Sequence, residues 1–346
     1  MKSLRFVVVL ASLVAILALL AACTPTQQAA VEKAAPTVAA AAKAAAPTVA
    51  AAAAAKTGDM YIPVISKGFQ HQFWQAVKQG SEKAAKDLGV RITFEGPENE
   101  SQVDKQIEML QAAIDKKPAA ICFAALDSKA AIPLLEKAKA ANIPVIGFDS
   151  GVDSDIVKTT AATDNIAAAA AADKMAALIN NEGEIAVIVH DQTSRTGIDR
   201  RDGFVNRIKE KYPNIKIVDI QYGGGDQLKS TDLAKAILQA RPNLKGFFGA
   251  NEGSIIGVLN AVKELKREGK VVVIGYDSGK QQIDAIKAGT EAGAITQDPI
   301  GIGYKCVEAA VKAVKGETLP KTIDTGFHWY DKTNVDSDQI KPLLYN

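Results

Sequence analysis

The chain has 346 residues, of which 47% are hydrophobic, 23% charged and 5% aromatic, with a formal net charge of +2. That length suggests about two domains, and the near balance of 41 basic and 39 acidic residues excludes the basic footprint of a nucleic-acid-binding protein. Three cysteines and three scattered histidines argue against a disulfide scaffold and a His-rich metal site, so neither a metal nor another cofactor is expected.

At the start of the chain, Lys2 and Arg5 precede an apolar run from Phe6 to Ala22 broken only by Ser12. This is the layout of a secretory signal over residues 1–22. The run ends Leu20-Ala21-Ala22-Cys23, which resembles the bacterial lipobox, where cleavage precedes a cysteine that then carries lipid. A single membrane-spanning anchor is the alternative, but an anchor has no need of a cysteine at that spot. Residues 23–57 are then expected to form a lipidated tether. They repeat Ala-Pro-Thr-Val-Ala at 35–39 and 46–50 and hold too little bulky apolar surface to offset chain entropy. The working part is therefore expected outside the cytoplasm, held to a membrane through Cys23.

From Asp59 onward, short apolar runs alternate with amphipathic stretches. Runs at 60–66, 90–94, 119–123, 144–148, 184–189, 215–220, 246–248, 271–276 and 292–296 predict strands. The stretches between them carry apolar residues at helical spacing, as at Phe73, Val77, Ala84, Ala85 and Leu88. Near-continuous apolar strands separated by helices imply parallel sheets covered on both faces, an α/β doubly wound class.

An internal repeat implies two similar domains. Pro144-Val-Ile-Gly-Phe-Asp149-Ser150-Gly151 matches Val272-Val-Ile-Gly-Tyr-Asp277-Ser278-Gly279, and the segments before them, ending at Ser128 and Gly253, also correspond. Each copy places an aspartate at a strand's carboxyl end, where open parallel sheets bind ligands. Asp149 and Asp277 either line one cleft or merely cap the following helices; a sharp Asp-Ser-Gly turn occurring twice favours the cleft.

Other strand ends carry further polar or aromatic groups. Ser66, Gln70 and His71 precede Phe73-Trp74 at the start of a helix, where the rings serve either the core or a binding wall. Arg200 lies in an arginine-rich stretch from Asp191, Asn251 follows Phe247-Phe248-Gly249, and Gln297 follows the run at 292–296. Carboxylates accept hydrogen bonds from hydroxyls, while amides and guanidinium supply directed donors. Aromatic rings pack on the C–H face of a sugar. The set suits a neutral polyhydroxylated molecule and suits phosphate poorly, because two carboxylates would repel it.

In this order the motifs are similar to those of type I periplasmic sugar-binding proteins, the ribose-binding-like solute receptors of ABC importers. The resemblance spans about residues 59–330. It rests on Ser66 with Phe73-Trp74, Asp149, Arg200-x-x-Gly203-Phe204, Phe-x-x-Asn251-Glu, Gly275-Tyr-Asp277 and Gln297-Asp-Pro299. It implies two lobes joined by a three-stranded hinge near Thr163, Gln297 and Asp324. The first lobe is then 58–163 plus 298–324, and the second 164–297 plus 325–346. It also implies ligand contacts from Ser66, His71, Phe73, Trp74, Asp149, Ser150, Arg200, Asn251, Asp277 and Gln297. The implied partners are a monosaccharide or cyclic polyol and a permease with its cytoplasmic ATPase, for a monomer that closes about its hinge.

The chain departs from the ribose pattern twice. Ser150 stands where an arginine commonly follows the first aspartate, and Gly223-Gly224-Gly225 precedes Asp226 where an aromatic ring is common. Both departures predict a wider or wetter pocket and a ligand larger than ribose. A transcriptional regulator sharing this fold would need a DNA-binding segment where the leader and tether stand. An enzyme is not expected, since GxSxG, Walker A and HExxH motifs are all missing. A sugar sensor feeding a chemoreceptor or histidine kinase is not separated from an importer by sequence. Cys122, in an apolar strand, and Cys306, in a helix, are expected to be buried free thiols.

Overall fold

The computed structural model describes residues 60–162 and 166–345. The leader, Cys23, the tether and the expected hinge residue Thr163 lie outside the described residues.

The first lobe runs β1 (Tyr61–Ile65), α1 (Gln72–Leu88), β2 (Arg91–Glu95), α2 (Val103–Asp115), β3 (Ile121–Phe123), α3 (Ile132–Ala140), β4 (Val145–Phe148) and β5 (Thr160–Ala162). The second follows with α4 (Ile166–Leu178), β6 (Gly183–Val189), α5 (Arg195–Lys211), β7 (Ile215–Tyr222), α6 (Gln227–Ala240), β8 (Gly246–Gly249), α7 (Glu252–Glu264), β9 (Val272–Tyr276), α8 (Lys280–Ala288) and β10 (Gly293–Gln297). The chain then returns to the first lobe as α9 (Pro299–Val314) and β11 (Thr322–Asp324), and crosses once more into β12 (Phe327–Tyr330). One six-stranded sheet has the order β11-β5-β4-β3-β1-β2, the other β12-β10-β9-β8-β6-β7. All recorded pairings are parallel except that of β12 with β10.

The pleat explains why both faces need cover. Ile62 and Val64 of β1, Cys122 of β3 and Phe148 of β4 point to the side of α1 and α9. Their neighbours Ile65, Ile121 and Phe123 point to the side of α2 and α3. In the second sheet Ile185, Val187 and Val189 face α4 and α5, while Ala186 and Ile188 face α6 and α7. Successive side chains alternate faces, so a strand buried on both sides reads as an unbroken apolar run.

Helices α1 and α9 approach backbone to backbone. A Cβ on Gly80 would lie 1.9 Å from the Ile300 carbonyl oxygen, and one on Gly303 would lie 2.1 Å from that of Val77. The same packing corrects the expectation for the cysteines. Cys122 on β3 and Cys306 on α9 stand 6.3 Å apart at Cα and form a disulfide, a separation within bridging range. Sequence spacing held no sign of this, because the two are 184 positions apart and most of the second lobe lies between them.

Candidate functional site

The carboxyl ends of the two parallel sheets face each other across a cleft. The lobes meet there through direct bonds: the Ser128 amide donates to Thr193 O at 2.9 Å, and Thr193 Oγ1 donates to Leu126 O at 3.3 Å. Two adjoining cavities remain. The inner one, of about 20 Å³, is lined by Lys67, His71, Phe73, Trp74, Glu100, Asp149, His190, Thr196, Arg200, Asn251 and Asp277. The outer one, of about 380 Å³, is lined by Asp149, Gly151, Arg195, Thr196, Asp199, Arg200, Tyr276 and Gln297, with Thr160, Ala162, Thr322 and Asp324 on the hinge side.

The repeated aspartates end β4 and β9 in the left-handed region, with φ of 56° for Asp149 and 80° for Asp277. Short polar side chains tolerate that region. Neither carboxylate caps the helix after it. Asp277 accepts from Gln297 Nε2 at 2.9 Å and from the Glu252 amide at 2.8 Å. Asp149 is 7% exposed, and its carboxylate receives no hydrogen bond among the described residues. Burial pushes its pKa up to about 6, against the pull of Lys67 and Arg200.

Arg200 is fixed from three sides. Its guanidinium stacks 3.7 Å from the centroid of the Tyr276 ring, donates to Ala250 O at 2.9 Å, and lies 3.8 Å from Asp277. Phe73 and Trp74 form an edge-to-face pair 5.0 Å apart, and the indole Nε1 donates to Glu100 at 2.8 Å. Burial of Glu100 is outweighed by opposing charges, led by Lys67, so its carboxyl stays below the usual range. His190 is pushed down to about 3, first by burial and then by Lys67, and is neutral; its Nε2 lies 3.1 Å from Thr196 Oγ1.

The structure thus gathers His71, Phe73, Trp74, Asp149, Arg200, Asn251, Asp277 and Gln297 around the two cavities. It does not bring Ser66 there. The Ser66 hydroxyl donates to Gly68 O and Glu95 O, holding the loop after β1, and the next residue, Lys67, enters the cleft instead. Ser150 is fully buried with its hydroxyl unpartnered and lines neither cavity. Asn251 is in place, but its side-chain oxygen is already committed to the Ser254 amide as the cap of α7.

Sequence reading missed Lys67, Glu100, His190, Thr196 and Tyr276. Two of these had a signal. His190 directly follows the end of β6, and Tyr276 is the repeat partner of Phe148. The expected widening at the missing ring is also corrected. A Cβ on Gly225 would lie 3.0 Å from Glu100 Oε2 and 3.3 Å from both Gln70 Nε2 and His71 Nε2, so those side chains already fill that space. At the missing guanidinium, Ser150 lines neither cavity, and only its neighbours Asp149 and Gly151 border the outer one.

With this geometry in view, the family described as periplasmic binding protein domain matches residues 62–318. A D-allose-binding periplasmic protein of Escherichia coli is 30% identical over 270 residues, covering 74% of this chain and 86% of that protein. A ribose import binding protein of Bacillus subtilis is 27% identical over 72% of this chain and 80% of that protein. Among solved structures, a carbohydrate transporter solute-binding protein of Agrobacterium radiobacter in complex with D-arabinose is 34% identical with a TM-score of 0.80, covering 84% of this chain and 100% of that one. A solute-binding protein of Agrobacterium vitis with bound D-fucose gives the same identity and TM-score over 82% of this chain and 100% of that one.

Proposed function

The chain belongs to the periplasmic binding protein family, and on that premise we propose that it captures a monosaccharide or cyclic polyol outside the cytoplasm and delivers it to an ABC-type importer. Capture proceeds by closure about the segments that join the lobes, and the closed form docks on a permease driven by a cytoplasmic ATPase. The lipid on Cys23 and the following tether hold the receptor near that permease.

The observation that carries this reading is Asp149. A carboxylate 7% exposed, at a strand end, beside a cavity of about 380 Å³, has no hydrogen-bond donor among the described residues. A buried acceptor left in that state is costly. Vicinal hydroxyls supply the donors it needs, and Arg200 across the cleft donates to the same ring. Phe73 and Trp74 cover the apolar face of that ring. Because Asp149 belongs to one lobe and Arg200 to the other, the ligand binds the closed form better than the open one. That differential affinity is what shifts the equilibrium. The volume of the outer cavity, about 380 Å³, favours a hexose over ribose.

The test is a thermal-melt screen of the full chain in detergent against D-allose, D-ribose, D-arabinose, D-fucose, inositol, nucleosides and amino acids. A ligand at a thousandfold excess over its Kd stabilises the folded state by about 4 kcal/mol. A shift with one hexose or polyol is the expected result. A shift confined to amino acids or nucleosides overturns the cleft assignment, and ribose binding with rejection of every hexose overturns the size argument.

A further inference from the structure

Ser194, Asp226, Asn251 and Asp298 each cap their own helix, α5, α6, α7 and α9 respectively. The N-caps of α1 and α8, His71 and Gly279, supply no side-chain bond, and α2 and α3 also start without one. At α1 and α8 the cap comes from the opposite lobe. The Gln72 and Phe73 amides that open α1 donate to the two oxygens of Glu252, at 3.0 and 3.1 Å. The Lys280 amide that opens α8 donates to Gln72 Oε1 at 2.8 Å. Caps thus pass across the cleft twice, from Glu252 of α7 to α1 and from Gln72 of α1 to α8.

These crossing caps are tightly packed and tied to the cleft. Glu252 is 3% exposed. A Cβ on Gly279 would lie 3.0 Å from Gln72 Oε1 and 3.1 Å from the Glu252 carboxyl carbon, and one on Gly253 would lie 2.8 Å from the His71 ring. The Glu252 amide in turn donates to Asp277 Oδ2 at 2.8 Å. An acidic group at a helix N-terminus satisfies open amides and complements the helix dipole.

We propose that Glu252 is a positioning residue that couples Asp277 to lobe closure. Asp277 fixes the start of α7 through its bond to the Glu252 amide, and the Glu252 carboxylate then caps α1 only when the lobes are closed. The contact needs no ligand, so it sets how much of the receptor is closed before sugar arrives. It touches no ligand itself. The closed form of a binding protein is the tight-binding one, so losing the cap taxes affinity through the closed population.

The experiment uses the full chain in detergent, spin-labelled at exposed positions of the two lobes through Glu136→Cys and Lys229→Cys, with interlobe distances measured with and without D-allose. Glu252→Gln keeps one acceptor and is expected to lower the closed population, and Glu252→Ala to lower it further. Gln72→Ala, which removes the cap that α1 gives to α8 across the cleft, is expected to act in the same direction. This excludes local damage to α7 as the cause. Affinity for D-allose is expected to fall roughly fivefold to tenfold in Glu252→Ala, as for loss of a helix cap. Distances in Glu252→Ala that match the parent chain under both conditions overturn the proposal. The affinity readout alone rests on the sugar-capture reading: failure of the parent chain to bind any sugar counts against that reading, while the distances still decide the role of Glu252.

Discussion

Asp149 and Asp277 share a repeat position and a left-handed backbone, with φ of 56° and 80°, yet only Asp277 is supplied with donors by the protein. Asp277 holds Gln297 and the start of α7, while Asp149 has no donor among the described residues and, in the function proposed above, takes its donors from the ligand. This asymmetry gives the first prediction. Burial raises the Asp149 pKa from 3.8 to about 6. The folded state therefore holds its proton more tightly than the unfolded state. The resulting stability is full below about pH 4 and is lost as pH rises through 6, a change of about 3 kcal/mol. Asp149→Asn is expected to flatten urea-unfolding stability over that window and to weaken sugar binding at pH 7 by about a hundredfold, at the strong end of hydrogen bonds to charged groups. In the parent chain, sugar affinity is expected to fall below pH 6. An unchanged pH profile in Asp149→Asn would refute the assignment.

Gly225 gives the second prediction. Its φ is 69° and an added Cβ would press on Glu100 Oε2 at 3.0 Å. A non-glycine residue there pays for the left-handed backbone, about 1 kcal/mol or more, and also clashes across the cleft, but only when the lobes close. Gly225→Ala is therefore expected to weaken sugar binding at least tenfold while costing the ligand-free melting temperature only a few degrees. Titration calorimetry and a melt on the same sample separate the two effects. Equal affinity in Gly225→Ala would mean that Gln70, His71 and Glu100 move aside on closure.

Much of the architecture could be read from the chain. The central strands of both sheets are apolar on both faces, so their unbroken apolar runs marked them, whereas the edge strands β2 and β7 are only partly buried. β5, β11 and β12 escaped because, unlike the equally short but fully buried β3 and β8, they are only partly buried and are defined by pairing, Thr160–Ala162 with β11 and Phe327–Tyr330 with β10. The repeat exposed Asp149 and Asp277 because a backbone requirement leaves a local signature. Lys67 leaves none. It is an ordinary lysine in a loop until Ser194 and Thr196, more than a hundred residues later, meet its ammonium at 3.4 and 3.1 Å. Ser66 failed for the opposite reason, since its neighbouring carbonyls used its hydroxyl locally.

The Cys122–Cys306 disulfide ties the returning helix α9 to the first sheet. It spans a sequence separation of 184 residues that holds all of the second lobe except β12 and the segment after it, so its absence frees a large unfolded ensemble. Cys122→Ala with Cys306→Ala is expected to cost about 2–5 kcal/mol in denaturant unfolding. Both sulfurs lie in the core and line neither cavity, and sugar affinity below the unfolding transition is expected to be unchanged. Equal stability of the parent chain in oxidising and reducing buffer would show that the bond does not hold α9 in place.

Glu291 is a second buried acid, with a different role. It is 1% exposed; its Oε1 accepts from Gln282 Nε2 at 3.3 Å and lies against the Gly275 backbone, while its Oε2 is unpartnered. Burial raises its pKa well above 4.5, with the Gln282 bond opposing. The carboxyl is held neutral in the folded protein and ionises freely in the unfolded one. Stability is then full below pH 4.5 and declines as pH rises towards the folded-state pKa, at up to about 1.4 kcal/mol for each pH unit. Glu291→Gln keeps the shape without the proton. It is expected to match the parent chain in urea unfolding at pH 4 and to exceed it at pH 8, with sugar affinity unaltered because the residue lies behind Tyr276 and outside both cavities. Parallel pH profiles for the two proteins would place an ionised carboxylate in the core and contradict the assignment.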